Sequence, residues 1–288
     1  MFAAIEAGGT KIISAIADEE FNIIDKIKIP TTSPSESFGL IRDFLMAYKD
    51  KLKAIGVGSF GPIDIDEKSR TYGQILNTPK KGWSNFNIYN QLNKDFDIKI
   101  TITSDVNASA YGEYAFGLSE DKKSLVYFTV GTGIGAAYIQ DGLLIGGRSH
   151  PEMGHMIINK HQDDGFKGSC PYHGPCLEGL GSGPAISQRL NKLGEDLDKD
   201  DKFWDIEANY LGQAALNTSY MFNPDCIIFG GGVMAKEGLI EKIRENFERL
   251  NKSYMDFAPL DEFIIKPKYD GQSAILGCLK LAKESIGE

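Results

Sequence analysis

Apolar and polar positions set out a hairpin at the start of the chain. Phe2 to Glu6 reads as a strand, Gly8-Gly9-Thr10 as a turn, and Lys11 to Ala17 (KIISAIA), rich in β-branched residues, as a returning strand. The period then changes. Over 36 to 49, Phe38, Ile41, Leu45 and Tyr48 recur at helical spacing, and Leu52 to Ile63 gives a buried strand running into a glycine-rich turn. In 97 to 104, Ile98, Ile100 and Ile102 alternate as in a strand, and after Asp105 the pattern becomes an alanine-rich helix to 117. Strands and helices interleaved in this way predict an α/β fold.

The first device then repeats. Residues 124 to 147 read as strand, glycine turn (Gly131-Thr132-Gly133) and strand, with a further hairpin closed at Asp141-Gly142. Two strand–glycine turn–strand units predict two lobes built to one plan. A small one spans 1–116 and is joined by the helix of 271–288; a large one spans 117–270. Residues 186–200 and 205–221 read as mostly helical, with the charge run 193–202 as a solvated loop. Residues 226–229 read as a short buried strand, 236–250 as a helix aligning Leu239, Ile243, Phe247 and Leu250, and 272–283 as a last amphipathic helix.

Composition narrows the function. The 288 residues, 42% hydrophobic and 25% charged, fit ordinary globular cores, and a net charge of −9 argues against a nucleic-acid or anionic-membrane partner. The N-terminal segment lacks a basic leader region, and Glu6 and Lys11 interrupt its apolar run, so a cytoplasmic protein is expected. In a reducing compartment, Cys226 and Cys278, single in apolar stretches, read as buried thiols, and Cys170 and Cys176 point to metal rather than a disulfide.

Those two cysteines belong to GSCPYHGPC, residues 168 to 176. Cys170, His173 and Cys176 offer three ligands, and His155, or else His161, offers a fourth; a closed four-ligand set would be a structural Zn²⁺ site stabilising the loop 155–178. The alternative is a pair of buried thiols beside a surface histidine. Glu152 and Glu178 flank the cluster, where a clamped loop would hold them as acceptors for a polyhydroxyl substrate, unless they are ordinary surface charges.

Three glycine turns follow strands: Gly8-Gly9-Thr10-Lys11, Gly131-Thr132-Gly133 and Gly230-Gly231-Gly232. Each could bring backbone N–H groups to a phosphate, or simply serve a tight turn. A Walker A loop is excluded, since no Gly-Lys dipeptide occurs, and Gly131-x-Gly133-x-x-Ala136 opens no helix, as a dinucleotide site requires. The third turn is expected to open onto a helix from Met234. Asp105, at a strand-to-helix junction, reads either as a reactive carboxylate or as the cap of the helix that follows.

EAGGTK, GVGSFGPID, SDVNASAYGE, VGTGIGAA, PEMGH, CPYHGPCLEGLGSGPA and IIFGGGV together resemble the ROK family of sugar kinases and repressors, end to end. NTPKKGW and CPYHGPC look most like its bacterial zinc-containing fructokinase branch. The resemblance implies an actin-like (ribonuclease H-like) two-lobed ATPase fold with ATP in the cleft, Mg²⁺ accompanying the nucleotide, and phosphoryl transfer from ATP to a sugar hydroxyl, fructose giving fructose 6-phosphate. It implies Asp105 as general base, with Ser104 where members carry asparagine, so that this sugar contact passes to Ser104 or Asn107 or is lost. It further implies sugar contacts at Glu152, His155 and Glu178, phosphate contacts at Gly8, Gly9, Thr10, Lys11, Gly131, Thr132 and Gly133, nucleoside contacts at Gly231 and Gly232, and a homodimer. Glu6 stands where many members have aspartate. A glucokinase or N-acylmannosamine kinase is the alternative within the family. The sugar-sensing repressors carry a helix-turn-helix ahead of the first core strand, and none is expected before Phe2.

Overall fold

Strands β1 (Phe2–Ala7) and β2 (Lys11–Ala17) form the predicted hairpin, paired antiparallel from Phe2–Ala17 to Ala7–Ile12. The computed structural model describes residues 1–78, 80–146, 149–198 and 201–288. Pro79 of NTPKKGW, Gly147 at the end of the 124–147 run, Arg148, and Lys199 and Asp200 of the charge run lie outside the described residues. The chain divides into two units: Met1–Leu118 with Leu144–His150 and Gly271–Glu288, and Ser119–Leu143 with Pro151–Asp270. Residues 144–150, expected in the second lobe, thus group with the first, where His150 lies against Gly61. The expected small and large lobes are nearly equal in length.

In the first unit the sheet order is β3-β2-β1-β4-β5, with β3 (Ile23–Pro30), β4 (Ala54–Ser59) and β5 (Lys99–Ser104). β3 went unpredicted because it is an edge strand with half-exposed isoleucines and a charged run, Asp25-Lys26 and Lys28. β1, β4 and β5 are parallel and in register, Ala7 opposite Ser59 and Ser59 opposite Ser104. The chain therefore leaves all three strands along one sheet edge, at Gly8, Phe60 and Asp105. Helix α1 (Pro34–Met46), capped by Ser33, buries Phe38, Ile41 and Leu45; α2 (Ile88–Asn93) buries Ile88 and Leu92. Helix α3 (Asp105–Gly112) runs on as a π-helical turn to Gly117. The helix Ser273–Glu284 packs so closely on α3 that a Cβ at Gly277 would lie 1.9 Å from the Ala108 carbonyl oxygen.

In the second unit β6 (Ser124–Val130) pairs antiparallel with β7 (Ile134–Gln140), and the Asp141-Gly142 turn, both residues at positive φ, leads into β8 (Leu143–Ile145), whose last two residues group with the first unit. Helices α4 (Leu177–Gly181), α5 (Gly183–Leu190) and α6 (Phe203–Phe222) precede β9 (Cys226–Gly230), which lies parallel to β6. Helices α7 (Leu239–Asn251) and α8 (Leu260–Phe263) lead to β10 (Ile264–Ile265), parallel to β9. The core sets Phe128 on Phe229, rings stacked 5.0 Å apart, under Leu211, Ile243 and Phe247.

Two helix expectations are corrected. The one over 186–200 ends at Leu190, where Asn191 adopts φ 52° as a left-handed cap, and among the described residues Gly194–Asp196 makes a further short 3₁₀ turn before α6. The one from Met234 begins at Leu239, behind Gly238 at φ 78°. No described helix is long and apolar enough to cross a membrane.

Candidate active site

The sheet edge of the first unit carries the first glycine turn and Asp105. The turn closes with the Gly8 N–H donating to the Lys11 carbonyl (2.9 Å), and Thr31 braces it, its N–H donating to the Thr10 carbonyl (3.0 Å) and its hydroxyl to the Gly8 carbonyl (2.8 Å). Gly9, Thr10 and Lys11 are exposed at the tip. Burial pushes the Glu6 carboxyl above its ordinary range; Lys11 pulls it down and the charge of Asp105 adds to the rise.

Asp105 is half-buried at the first helical position of α3, and Ser104 is the cap: its hydroxyl accepts from the Asn107 N–H at 3.1 Å. Ser104 is thus the capping residue, while Asp105 Oδ1 accepts the Val106 N–H at 2.9 Å and so also serves the first turn of the helix. Ser104, 3% exposed, is committed to that cap. Asn107 is also 3% exposed, and its amide donates to the Thr103 hydroxyl (3.1 Å).

In the second unit the β6–β7 turn is closed by the Gly131 N–H donating to the Gly133 carbonyl (2.9 Å). The first residue of α5 is tied to it, the Gly183 N–H donating to the Gly131 carbonyl at 2.8 Å. Gly231 sits at φ 95° with its missing Cβ 2.5 Å from the Val130 carbonyl oxygen, and a Cβ on Gly131 would come 3.9 Å from the Gly232 nitrogen. The second and third glycine turns are thus neighbours. The third opens onto a single 3₁₀ turn, Gly232–Ala235, in place of the expected long helix. Sequence reasoning assigned nothing to Gly183, although GSGP after a helix end was a visible signal.

The four expected metal ligands come together. The ligand atoms of His155, Cys170, His173 and Cys176 all lie within 4.8 Å of one another. His155 Nδ1 is 3.8 Å from Cys170 Sγ and 3.6 Å from Cys176 Sγ, and His173 Nδ1 is 3.7 Å from Cys170 Sγ. A tetrahedral zinc site with ordinary Zn–S and Zn–N lengths has S···N edges of about 3.5 Å, so the donor set fits the ion in both chemistry and size. Burial pushes the Cys176 thiol up to about 11, and Cys170 beside it adds to the rise, so Cys176 would need a nearby cation to be held as a thiolate. His161 is turned aside, its Nδ1 accepting from the Asp163 N–H at 3.2 Å, so of the two candidate histidines it is His155 that lies in the cluster.

His155 faces two ways. Nδ1 looks at the thiols, while Nε2 lies 4.0 Å from Glu178 Oε1. Glu178 in turn accepts the Ile134 N–H on Oε2 at 2.9 Å, and that oxygen would meet a Cβ on Gly133 at 2.7 Å. One carboxylate thereby couples the ligand cluster to the second glycine turn. Glu152 is exposed just before the Met153–His155 turn, its carbonyl accepting the His155 N–H at 3.0 Å.

A further anchor escaped the sequence. Asp164, inside the loop, accepts from Arg189 Nε (3.2 Å) and Nη2 (3.0 Å) and from the Tyr210 hydroxyl (2.6 Å). Burial alone would raise its carboxyl, but Tyr210, the Phe166 N–H and Arg189 hold it below the ordinary range. Its three members stand far apart in sequence, so no local pattern marks them.

The model of the ROK family matches residues 2–285. A fructokinase of Streptococcus mutans is 43% identical, covering 99% of this chain and 98% of its own length. A fructokinase of Lactococcus lactis subsp. cremoris is 47% identical, covering 98% and 96%. Among solved structures, a ROK family glucokinase from Streptomyces griseus in complex with glucose and AMPPNP superposes with a TM-score of 0.78 at 22% identity, covering 98% of this chain and 99% of its own.

Proposed function

As this chain belongs to the ROK family, we propose that it is an ATP-dependent fructokinase, transferring the terminal phosphoryl group of ATP to fructose to give fructose 6-phosphate and ADP. The observation that carries the reading is full-length identity of 43% and 47% with two fructokinases.

Asp105 accepts the proton of the sugar hydroxyl as its oxygen attacks phosphorus, a general-base role worth typically about 10²–10⁴-fold. The Gly8–Lys11 and Gly131–Gly133 turns present backbone N–H groups to the phosphates, with Gly231 and Gly232 beside the nucleoside, because alignment and charge neutralisation dominate phosphoryl transfer. Mg²⁺, when bound with the nucleotide, neutralises phosphate charge; Glu6 and Asp105 are the carboxylates available to its hydration shell. Glu152, Glu178 and His155 Nε2 offer polar groups to the sugar hydroxyls. His155, Cys170, His173 and Cys176 would hold a structural Zn²⁺, which fixes the loop that carries two of those groups. The assembly we propose is a homodimer, supported by the exposed Tyr220, Met221 and Tyr254 in the second unit, and a light-scattering mass twice that of the chain checks it.

A coupled assay of ADP release over fructose, glucose, mannose and N-acetylmannosamine tests the substrate. The highest kcat/KM is expected for fructose; a higher value for one of the others would move the enzyme to that sugar.

A further inference from the structure

Lys80 lies in NTPKKGW, the motif to which neither the sequence nor the proposed chemistry gives a task. Its ammonium donates to the carbonyl of Gly9, at the tip of the first glycine turn and 71 residues away in sequence. The placement is built. Trp83, fully buried, donates from Nε1 to the Thr32 carbonyl (2.8 Å), next to the Thr31 that braces the same turn. Its ring packs edge-on against Phe38, Phe60 and Phe86, and Phe60 follows β4 on the sheet edge that carries Asp105. The Trp83 N–H donates to the Lys80 carbonyl at 3.1 Å, so the buried indole fixes the turn from which the lysine reaches out. The Ser84 hydroxyl ties back to Thr78, its oxygen accepting the Thr78 N–H at 3.2 Å.

An ammonium carries three N–H donors, and the Gly9 carbonyl takes one. Lys80 is half-exposed, and Gly9 and Thr10 beside it are exposed, so a dianionic oxygen group at the tip would meet both the backbone of the turn and a fixed positive charge. The surroundings call for one. Glu6 and Asp105 bring negative charge to this edge, in a protein of net charge −9, and a terminal phosphate would otherwise approach against it.

We propose that Lys80 contacts the terminal phosphate of the nucleotide, holding the Gly9 turn with one N–H and offering the others to a phosphoryl oxygen. This rests on the kinase reading above and adds to it a phosphate ligand outside the glycine turns. A charge-assisted hydrogen bond to phosphate predicts a loss of about tenfold to a hundredfold when it is removed.

The test is calorimetric binding of Mg·AMPPNP and of Mg·ADP to the full-length wild-type protein and to Lys80→Met and Lys80→Arg, with kcat and KM for both substrates. In Lys80→Met, affinity for AMPPNP is expected to fall at least tenfold while that for ADP changes less than threefold. kcat should fall with AMPPNP affinity, KM for the sugar should stay put, and Lys80→Arg should recover part of both losses. An equal loss for AMPPNP and ADP would make Lys80 only a strut for the turn, and an unchanged AMPPNP affinity would remove it altogether; either result overturns the proposal. Melting temperatures of both variants separate these outcomes from misfolding. A wild-type protein that binds AMPPNP but phosphorylates no sugar would defeat the kinase reading and leave the binding comparison intact.

Discussion

Beyond its own backbone bonds, the Gly8–Lys11 turn is held by the side chains of Thr31 and Lys80, which reach in from other segments, and a Cβ on Gly9 would meet nothing within 4 Å. The Gly131–Gly133 turn is held by backbone: its carbonyl takes the first N–H of α5, and the neighbouring Gly231 fills a space that admits no Cβ. Glu178, two residues beyond Cys176 of the Cys/His cluster, also supports it. Two hairpins on one plan are therefore kept in shape by different physics. The first adds to its backbone bonds individually replaceable side chains, one of them charged; the second adds close packing and a carboxylate from the loop that carries the Cys/His cluster.

The largest difference should follow loss of the metal cluster. Cys176→Ser is expected to lower bound zinc from about one per chain to near none, since a closed site needs all four ligands. Melting temperature should drop by roughly 10 °C or more, because metal-binding energy is folding energy in such loops. By hydrogen exchange, protection should fall at 155–181 and at Ile134 and stay unchanged at Gly8 to Lys11. Equal loss at both turns would erase the distinction, and wild-type metal content by elemental analysis would remove the site.

Next comes Asp105→Asn, which touches only the first unit's edge. kcat should fall by at least about 10²-fold with ATP-analogue binding retained, the signature of a group needed in the transition state. The melting temperature should barely move, since Ser104 caps the helix; Ser104→Ala is the matched control, costing about 1 kcal/mol of stability. Near wild-type turnover in the Asn variant would take Asp105 out of the mechanism.

The smallest effect compares the turns directly. Gly231→Ala places a methyl 2.5 Å from a carbonyl oxygen at φ 95° and should destabilise by about 1–3 kcal/mol, whereas Gly9→Ala should fall within about 0.5 kcal/mol of wild type in denaturant titration. Comparable losses at the two positions would mean that packing does not distinguish them.

What could be read in advance was local. The hairpin at 2–17, the strand-to-helix change at 104–105 and the ligand spacing of CPYHGPC are each carried by adjacent residues, and each stands in the structure where the pattern put it. Ser104 and Asp105 both can cap a helix, and only the extended backbone at Ser104, φ −76° and ψ 158°, decides between them. The resemblance offers Asn107 as one replacement for the family's asparagine contact, and no sequence pattern reports that it is 3% exposed and bonded to Thr103. Lys80 and the Asp164–Arg189–Tyr210 fork join segments that fold together from distant parts of the chain, and no periodicity reports such meetings.

The helix Ser273–Glu284 has a consequence for how the molecule is made. Ala274, Ile275, Cys278, Leu279 and Ala282 form one wall of a core whose other wall is Phe2, Ala4, Ile13 and Ala15. A ribosome delivers those first residues long before the last, so the earliest-synthesised sheet must wait with one apolar face uncovered while every residue of the second unit is translated. The half of the protein encoded first is thus the half completed last, and a nascent chain stalled before Gly271 would expose that face to whatever chaperone or protease meets it.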